Sequence, residues 1–94
     1  MNYQPVSEQS VLQMNYKAHI QGEVFARHLK DWPEATRHQE SARFVAEQVM
    51  ELLPQFGELT LTAWREEAYA RAIRDLPKLD RDLELVRLIF EGEE

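Results

Sequence analysis

The sequence predicts an all-α fold, a small antiparallel bundle of about four helices with a long first helix. Apolar residues recur three and four positions apart along most of the chain, which is the spacing of one helix face. The chain has only three glycines, and its four prolines fall at roughly even intervals, so they divide it into segments of helical length. Ninety-four residues suffice for one modest core, and we therefore assign residues 1–94 to a single domain.

The first helix is predicted over residues 7–30, with Ser7 as a candidate N-terminal cap. Its longer apolar stripe is expected to face the core. That stripe comprises Val11, Met14, Ala18, Gly22, Phe25, Leu29 and Trp32. A glycine inside a helix costs about 1 kcal/mol relative to alanine, so the close approach of another helix is the expected compensation at Gly22.

A second apolar stripe runs along a different side of the same helix. Its members are spaced four apart: Leu12, Tyr16, Ile20 and Val24. At about 100° per residue the two stripes point apart, and one small core does not easily cover both. Either the helix is central and packed on both sides, or the second stripe contacts another molecule. We favour contact with another molecule, through these four residues and Leu88 of the last helix, and hence a homodimer or another protein partner.

The remaining helices are predicted over residues 34–53, 61–75 and 81–91. The second helix has the most regular stripe in the chain: Ala35, His38, Ala42, Val45, Val49, Leu52 and Phe56. The third has a shorter one: Leu61, Trp64, Ala68, Ala72 and Leu76. The fourth carries large apolar residues on nearly every side: Leu83, Leu85, Val86, Leu88, Ile89 and Phe90. Such a helix is expected to be buried or to lie in an interface.

The prolines set the predicted helix boundaries. A residue that precedes a proline is disfavoured in the α region, so Trp32, Leu53 and Leu76 are predicted helix ends or boundaries. Residues 54–57 are predicted to form a turn.

Composition excludes several classes of protein. The chain has no cysteine, so it forms neither a disulfide framework nor a thiolate metal site, and a reducing cytoplasm is the expected compartment. The first nine residues are polar, and no run approaches the roughly 18 apolar residues of a membrane span, so we expect neither a targeting segment nor a membrane partner. A net charge of −6 also argues against a phosphate-binding surface.

The sequence carries no pattern typical of a catalytic or metal site. The three serines lie in ordinary helical or capping positions, and the three glycines are isolated, so no phosphate-binding loop is present. His19 and Glu23 are four residues apart, as are Glu34 and His38, and such pairs can share a metal. A di-iron bundle needs Glu-x-x-His on two helices, and this motif does not occur. We therefore predict no enzymatic activity, no metal and no cofactor, and an ordinary hydrogen-bonded role for His38.

A helix-turn-helix is the nucleic-acid-binding arrangement that the predicted helices allow. The second and third helices are joined at Gly57, and several basic residues follow. However, Glu66 and Glu67 would repel phosphate near the start of the recognition helix. Direct nucleic-acid binding is therefore not expected.

The predicted function is that of a non-enzymatic protein–protein interaction module. It would be a small cytoplasmic adaptor, chaperone or regulator that works through helix-face contacts and self-associates through its first helix.

An alternative is an acidic inhibitor of a nucleic-acid-binding complex. Residues 41–94 hold twelve acidic side chains against seven basic ones. Such a surface could mimic DNA, as phage-encoded anti-defence and anti-CRISPR-like inhibitors do, an analogy drawn from size and charge alone. Its acidic surface would comprise Glu66, Glu67, Asp80, Asp82, Glu84 and Glu91.

Overall fold

The computed structural model describes residues 7–92 and contains three α-helices within that range. They are α1 (Glu8–His28), α2 (Trp32–Leu52) and α3 (Gly57–Glu91). The all-α prediction is confirmed, whereas the prediction of four helices is wrong. Residues 1–6, part of the segment in which no targeting signal is expected, lie outside the described range.

Short turns join the three helices into a bundle in which α1 contacts both of the others. Lys17 of α1 forms an ion pair with Glu67 of α3, and His28, at the end of α1, lies 2.7 Å from the Asp80 carboxylate further along α3. The later residue of α1 contacts the later residue of α3, so α1 and α3 run parallel. The turn after α1 makes α2 antiparallel to both.

The ends of α1 are fixed by hydrogen bonds within the chain. Ser7 Oγ accepts a hydrogen bond from the Ser10 amide at 3.1 Å, which confirms the predicted cap. At the other end, the amides of Lys30 and Asp31 donate to the carbonyls of Arg27 and Ala26. This is a Schellman motif, and its left-handed position is occupied by Lys30, with φ 59°.

The boundary predicted at Trp32 is the start of a helix, because α2 begins there. The Asp31 carboxylate accepts a hydrogen bond from the Glu34 amide at 3.4 Å and caps the helix. Pro33 falls in the first turn, where its missing N–H removes no helix hydrogen bond. The predicted end at Leu53 lies one residue beyond the last helical residue, Leu52.

The third and fourth predicted helices are one helix of 35 residues that continues through Pro77, so the boundary predicted at Leu76 is wrong. Proline inside a helix costs about 3 kcal/mol. Contacts on both sides of it oppose a break: Leu76 and Leu79 are half-buried, and Asp80 contacts His28. The start of α3 is also earlier than predicted. A Cβ on Gly57 would lie 3.2 Å from the Met50 Cα, so glycine lets α3 begin close against α2.

The core lies between the three helices and is built on one face of each. Its buried members are Leu12, Tyr16, Ile20, Ala42, Val45, Val49, Trp64 and Ala68. The stripes predicted for α2 and α3 supply their share of it, although Leu52 and Phe56 at the end of the α2 stripe are exposed. The aromatic rings of Tyr16 and Trp64 pack with their centroids 6.4 Å apart.

The face of α1 that enters the core is the opposite of the predicted one. Leu12, Tyr16 and Ile20 of the second stripe are buried, whereas Val11 and Met14 of the stripe expected in the core are exposed. The two stripes are similarly apolar. The second one faces the core because it contacts Trp64 of α3 and the valines of α2. Helix α1 contacts both other helices, but it is not packed on both sides, because Val11 and Met14 remain exposed.

Replacing Lys30 with glycine is expected to stabilise the protein. An L-residue in the left-handed region costs roughly 1–2 kcal/mol, and glycine adopts it freely, so Lys30→Gly should raise the free energy of unfolding by about 1 kcal/mol. Urea denaturation measures the change. Lys30→Ala keeps a Cβ and is the matched control, with no gain expected. Equal stability of the two variants would contradict the turn described above.

Two truncations on α1 distinguish its core face from its outer face. Ile20 is 3% exposed, so Ile20→Ala should lower the free energy of unfolding by about 2–4 kcal/mol. Met14 is 68% exposed, and Met14→Ala should change it by less than about 0.5 kcal/mol. Denaturation of both variants in the same buffer gives the comparison. The reverse order would show that the helix packs through its other stripe.

Candidate protein-interaction surface

The last turns of α3 extend beyond the helices that cover the rest of it. The contact between His28 and Asp80 marks the level at which α1 ends. Beyond that contact α3 continues over residues 81–91, about 16 Å at 1.5 Å per residue. Every residue of this stretch is exposed. We call residues 81–91 the projecting segment.

The projecting segment is rich in large apolar side chains that no other part of the described chain covers. They are Leu83, Leu85, Val86, Leu88, Ile89 and Phe90. A helix that is apolar on nearly every side is normally buried, and a contiguous exposed patch of this kind usually marks an interaction site. This is the largest concentration of exposed apolar residues among residues 7–92.

One side of the projecting segment continues the core-facing side of α3. Along that side the bundle buries Ala72 and half-buries Leu76 and Leu79. The same three-and-four spacing then leads to Leu83, Val86 and Phe90, which are exposed. The face that packs inside the bundle is therefore also presented outside it.

Other exposed apolar residues lie near the base of the projecting segment. Leu29 and Trp32 flank the turn between α1 and α2, and both are about half exposed. This turn follows His28 directly, and His28 contacts Asp80 at the start of the projecting segment. The turn therefore adjoins the segment.

The interaction residues predicted from the sequence fall into two groups. Leu12, Tyr16 and Ile20 lie in the core, and Val24 is half-buried, so the expectation of an exposed second stripe on α1 is corrected. Leu88 is 52% exposed and lies in the projecting segment. The sequence analysis placed the other residues of this segment in a short separate helix, without seeing that α3 carries them clear of the bundle.

The six residues of the predicted acidic surface are all exposed, but they do not share one side of α3. Four of them, Glu66, Asp80, Glu84 and Glu91, fall within about 40° of one another around the helix, whereas Glu67 and Asp82 point to other sides. Three of the six have cationic or imidazole partners: Glu67 pairs with Lys17, Asp80 with His28, and Glu84 with Arg87.

Basic residues are interleaved with these acids along α3. Open clefts between α1 and α3 are lined by Arg71, Arg74 and Lys78 as well as by Glu67 and Asp82. The charges of both signs are therefore mixed on this side of the bundle.

Two histidines meet between α1 and α2. The Nδ1 atoms of His19 and His38 are 3.1 Å apart, so one ring donates a hydrogen bond to the other when at least one is neutral. A Cβ on Gly22 would lie 2.7 Å from the His38 ring, and glycine thus gives this ring its place against α1. This is the close approach that the sequence predicted at Gly22.

The environment of the histidine pair disfavours a second positive charge. Burial lowers the pKa of His19 below its ordinary value, and the neighbouring His38 and Arg37 lower it further. Among residues 7–92, no group of three or more histidine or carboxylate side chains is placed to hold a metal ion.

The core also contains one carboxylate that sequence reasoning assigned only to a candidate metal pair. Glu23 is 6% exposed, and its Oε1 accepts a hydrogen bond from Arg27 Nε at 3.0 Å. The contact is a charge-assisted pair one turn apart on α1.

No family model, curated protein or solved structure matches this chain. Of the helices within residues 7–92, none combines the length and apolar character required to cross a lipid bilayer. Function is therefore inferred from the surface of the chain itself.

The histidine pair predicts a loss of stability in mild acid. Because the folded-state pKa of His19 is depressed, the unfolded chain binds more protons as the pH falls through about 6.5, and the free energy of unfolding decreases between about pH 7.5 and 5.5. Urea denaturation at the two pH values should show a smaller loss for His19→Gln than for the original chain. The His28–Asp80 contact is present in both proteins and cancels in the comparison. An identical pH dependence would contradict this role for His19.

Proposed function

We propose that the protein is a small non-enzymatic protein–protein interaction module, an adaptor, chaperone or regulator that binds through the projecting segment. The observation that supports this proposal is the exposure of six large apolar residues on the last three turns of α3. Their desolvation by a partner would remove a large apolar area from water, at about 25 cal/mol per Å². The absence of cysteine agrees with a cytoplasmic setting.

The position of the segment suits this role. Because none of residues 81–92 is buried, a partner can cover the segment without displacing any part of the core. Leu29 and Trp32 lie at its base and enlarge the apolar surface. The surface proposed here replaces the α1 stripe, because Leu12, Tyr16 and Ile20 of that stripe are used by the core itself.

An acidic inhibitor of a nucleic-acid-binding complex has less support. A DNA mimic needs a continuous array of negative charge, and here Glu67 and Asp82 lie among arginines and apart from the other four acids. Of those four, Asp80 and Glu84 already pair with His28 and Arg87. The described surface thus favours apolar contact over charge mimicry.

Removal of the projecting segment tests the proposal. A chain that ends at Arg81 keeps the contact between Asp80 and His28 and the whole core. Its circular dichroism per helical residue and its unfolding midpoint, both measured at low micromolar concentration, should therefore match those of the full chain. Affinity purification from the cells that encode the protein should recover partner proteins with the full chain and lose them with the truncated one. Each partner, once purified, should bind the truncated chain at least about tenfold more weakly.

Met14→Ser provides the matched control, since it removes an exposed apolar side chain on α1, away from the segment. It should leave partner binding unchanged. The proposal is wrong if the truncated chain retains the same partners with the same affinity.

A further inference from the structure

We propose that the partner of the projecting segment is an acidic amphipathic helix that lies along one outer stripe of α3. Its carboxylates would contact four cations of the stripe, and its apolar side chains would contact the two leucines that follow them. This inference rests on the proposed function, because it names the class of partner for the same surface. We call this line of residues the outer stripe: Arg71, Arg74, Lys78, Arg81, Leu85 and Leu88.

The outer stripe is one continuous line on the exposed side of α3. Its intervals alternate between three and four residues, so its members fall within about 100° of one another around the helix. Arg81 lies about 180° from Ala72, which the bundle buries, and all six members are exposed. From Arg71 to Leu88 the stripe is about 26 Å long at 1.5 Å per residue. A single partner helix of about 18 residues would cover it.

The cations of the outer stripe have no ion-pair partners in the described part of the chain. Of the eleven lysine and arginine side chains, five lie within 4.0 Å of a carboxylate of residues 7–92. Four of the other six are those of the outer stripe. Cations three and four residues apart on a helix repel one another. Their alignment therefore destabilises α3 slightly, and an anionic partner would relieve that repulsion.

The acidic residues nearest to the outer stripe do not neutralise it. Glu67, four residues before the first cation, pairs with Lys17 of α1 instead. Asp75 and Asp82 line a cleft at one edge of the stripe, but neither lies within 4.0 Å of a cationic nitrogen of residues 7–92. With these two included, the four cations still leave a net charge of +2. The stripe is thus a positive line on a protein whose net charge is −6.

The two parts of the outer stripe would contribute differently to binding. Exposed ion pairs add little affinity, but they accelerate association and discriminate between partners. Burial of Leu85 and Leu88, which are 57% and 52% exposed, would supply affinity. A nucleic acid would leave both leucines uncovered and would be repelled by the net charge of the protein. A wholly apolar helix would desolvate the cations without pairing them. An acidic amphipathic helix satisfies both parts.

A synthetic helix tests the inference. The glutamate probe is a fluorescein-labelled peptide of about 20 residues, with glutamate at its first three contact positions, leucine at its last three, and alanine and glutamine elsewhere. It should bind the full chain, and fluorescence anisotropy measures the affinity. Raising NaCl from about 0.1 M to about 1 M shortens the Debye length from about 10 Å to about 3 Å and should weaken binding at least about threefold.

Two charge reversals form a matched pair of variants. Arg74→Glu and Arg43→Glu change the net charge equally and both alter exposed residues, but Arg43 lies on α2, outside the stripe. Arg74→Glu should bind the glutamate probe at least about tenfold more weakly than Arg43→Glu does. A second probe, with lysine in place of glutamate, should show the reverse order. Loss of folding would not produce this exchange of preference.

Two leucine variants locate the apolar part of the contact. Leu83 and Leu85 are both exposed on the projecting segment, but they lie about 200° apart around the helix. Leu85→Ser should weaken binding of the glutamate probe at least about fivefold, because Leu85 belongs to the outer stripe. Leu83→Ser should leave the affinity unchanged.

Three results would overturn the inference. The first is a full chain that does not bind the glutamate probe, and the second is equal affinity of Arg74→Glu and Arg43→Glu for it. The third is preferential binding of the full chain to vesicles of phosphatidylcholine and phosphatidylglycerol, lost in Arg74→Glu, which would assign the cations to a lipid surface. If partner proteins are lost on truncation at Arg81 but bind Arg74→Glu with unchanged affinity, the acidic helix is wrong and the proposed function stands.

Discussion

The structure depends on a mismatch in helix length. Helices α1 and α2 have 21 residues each, and α3 has 35. Because α1 runs parallel to α3 and ends at the level of Asp80, the hairpin of α1 and α2 has no residues left with which to cover residues 81–91. The exposed apolar segment is thus a consequence of topology, since a helix hairpin of this length cannot cover both ends of α3 at once.

The core that remains is small, and five of the eleven buried apolar residues in the described part of the chain are alanines. Ala42, Ala68 and Ala72 are all at most 5% exposed, and among the larger side chains of residues 7–92 only Val49 is below 2%. Small residues on α2 and α3 let the helices approach closely, while Tyr16 and Trp64 fill the space between them. Gly22 and Gly57 allow the same close approach at the two ends of the hairpin. The His38 ring occupies the place of a Cβ at Gly22, and the Met50 backbone occupies it at Gly57. The stability of the bundle is therefore concentrated in the contacts that α1 makes with both neighbours.

The sequence was sufficient for some parts of this fold and insufficient for others, for physical reasons. The helices and the buried stripes of α2 and α3 were predictable, because each has one clearly apolar face, as at Val45, Val49 and Ala68. The core face of α1 was not, because periodicity locates two stripes but does not rank them. The choice depends on Trp64, which lies far away in the chain.

The continuity of α3 was not predictable from local signals either. Proline has a known cost within a helix, but the contacts that oppose a break at Pro77 are long-range, and the one between His28 and Asp80 spans 52 residues. For the same reason, Leu88 was identified as an interaction residue, but its place in a segment that extends beyond the bundle was not predicted. The apolar character of residues 83–90 is visible in the sequence. Their position beyond the end of α1 follows only from the packing of the three helices.

The projecting segment also links association to folding. An isolated helix of about three turns is marginal in water, because nucleation is costly and few hydrogen bonds follow. Here the folded part of α3 supplies the nucleus, so residues 81–91 need only propagate a helix that already exists. Local support is modest: Arg87 pairs with Glu84 one turn away, and β-branched Val86 and Ile89 have below-average helix propensity. A partner that buries the apolar side chains would stabilise the same turns that position them, so binding and helical order in this segment reinforce each other. No buried core residue lies in the segment, so binding of a partner to the segment leaves the core unchanged.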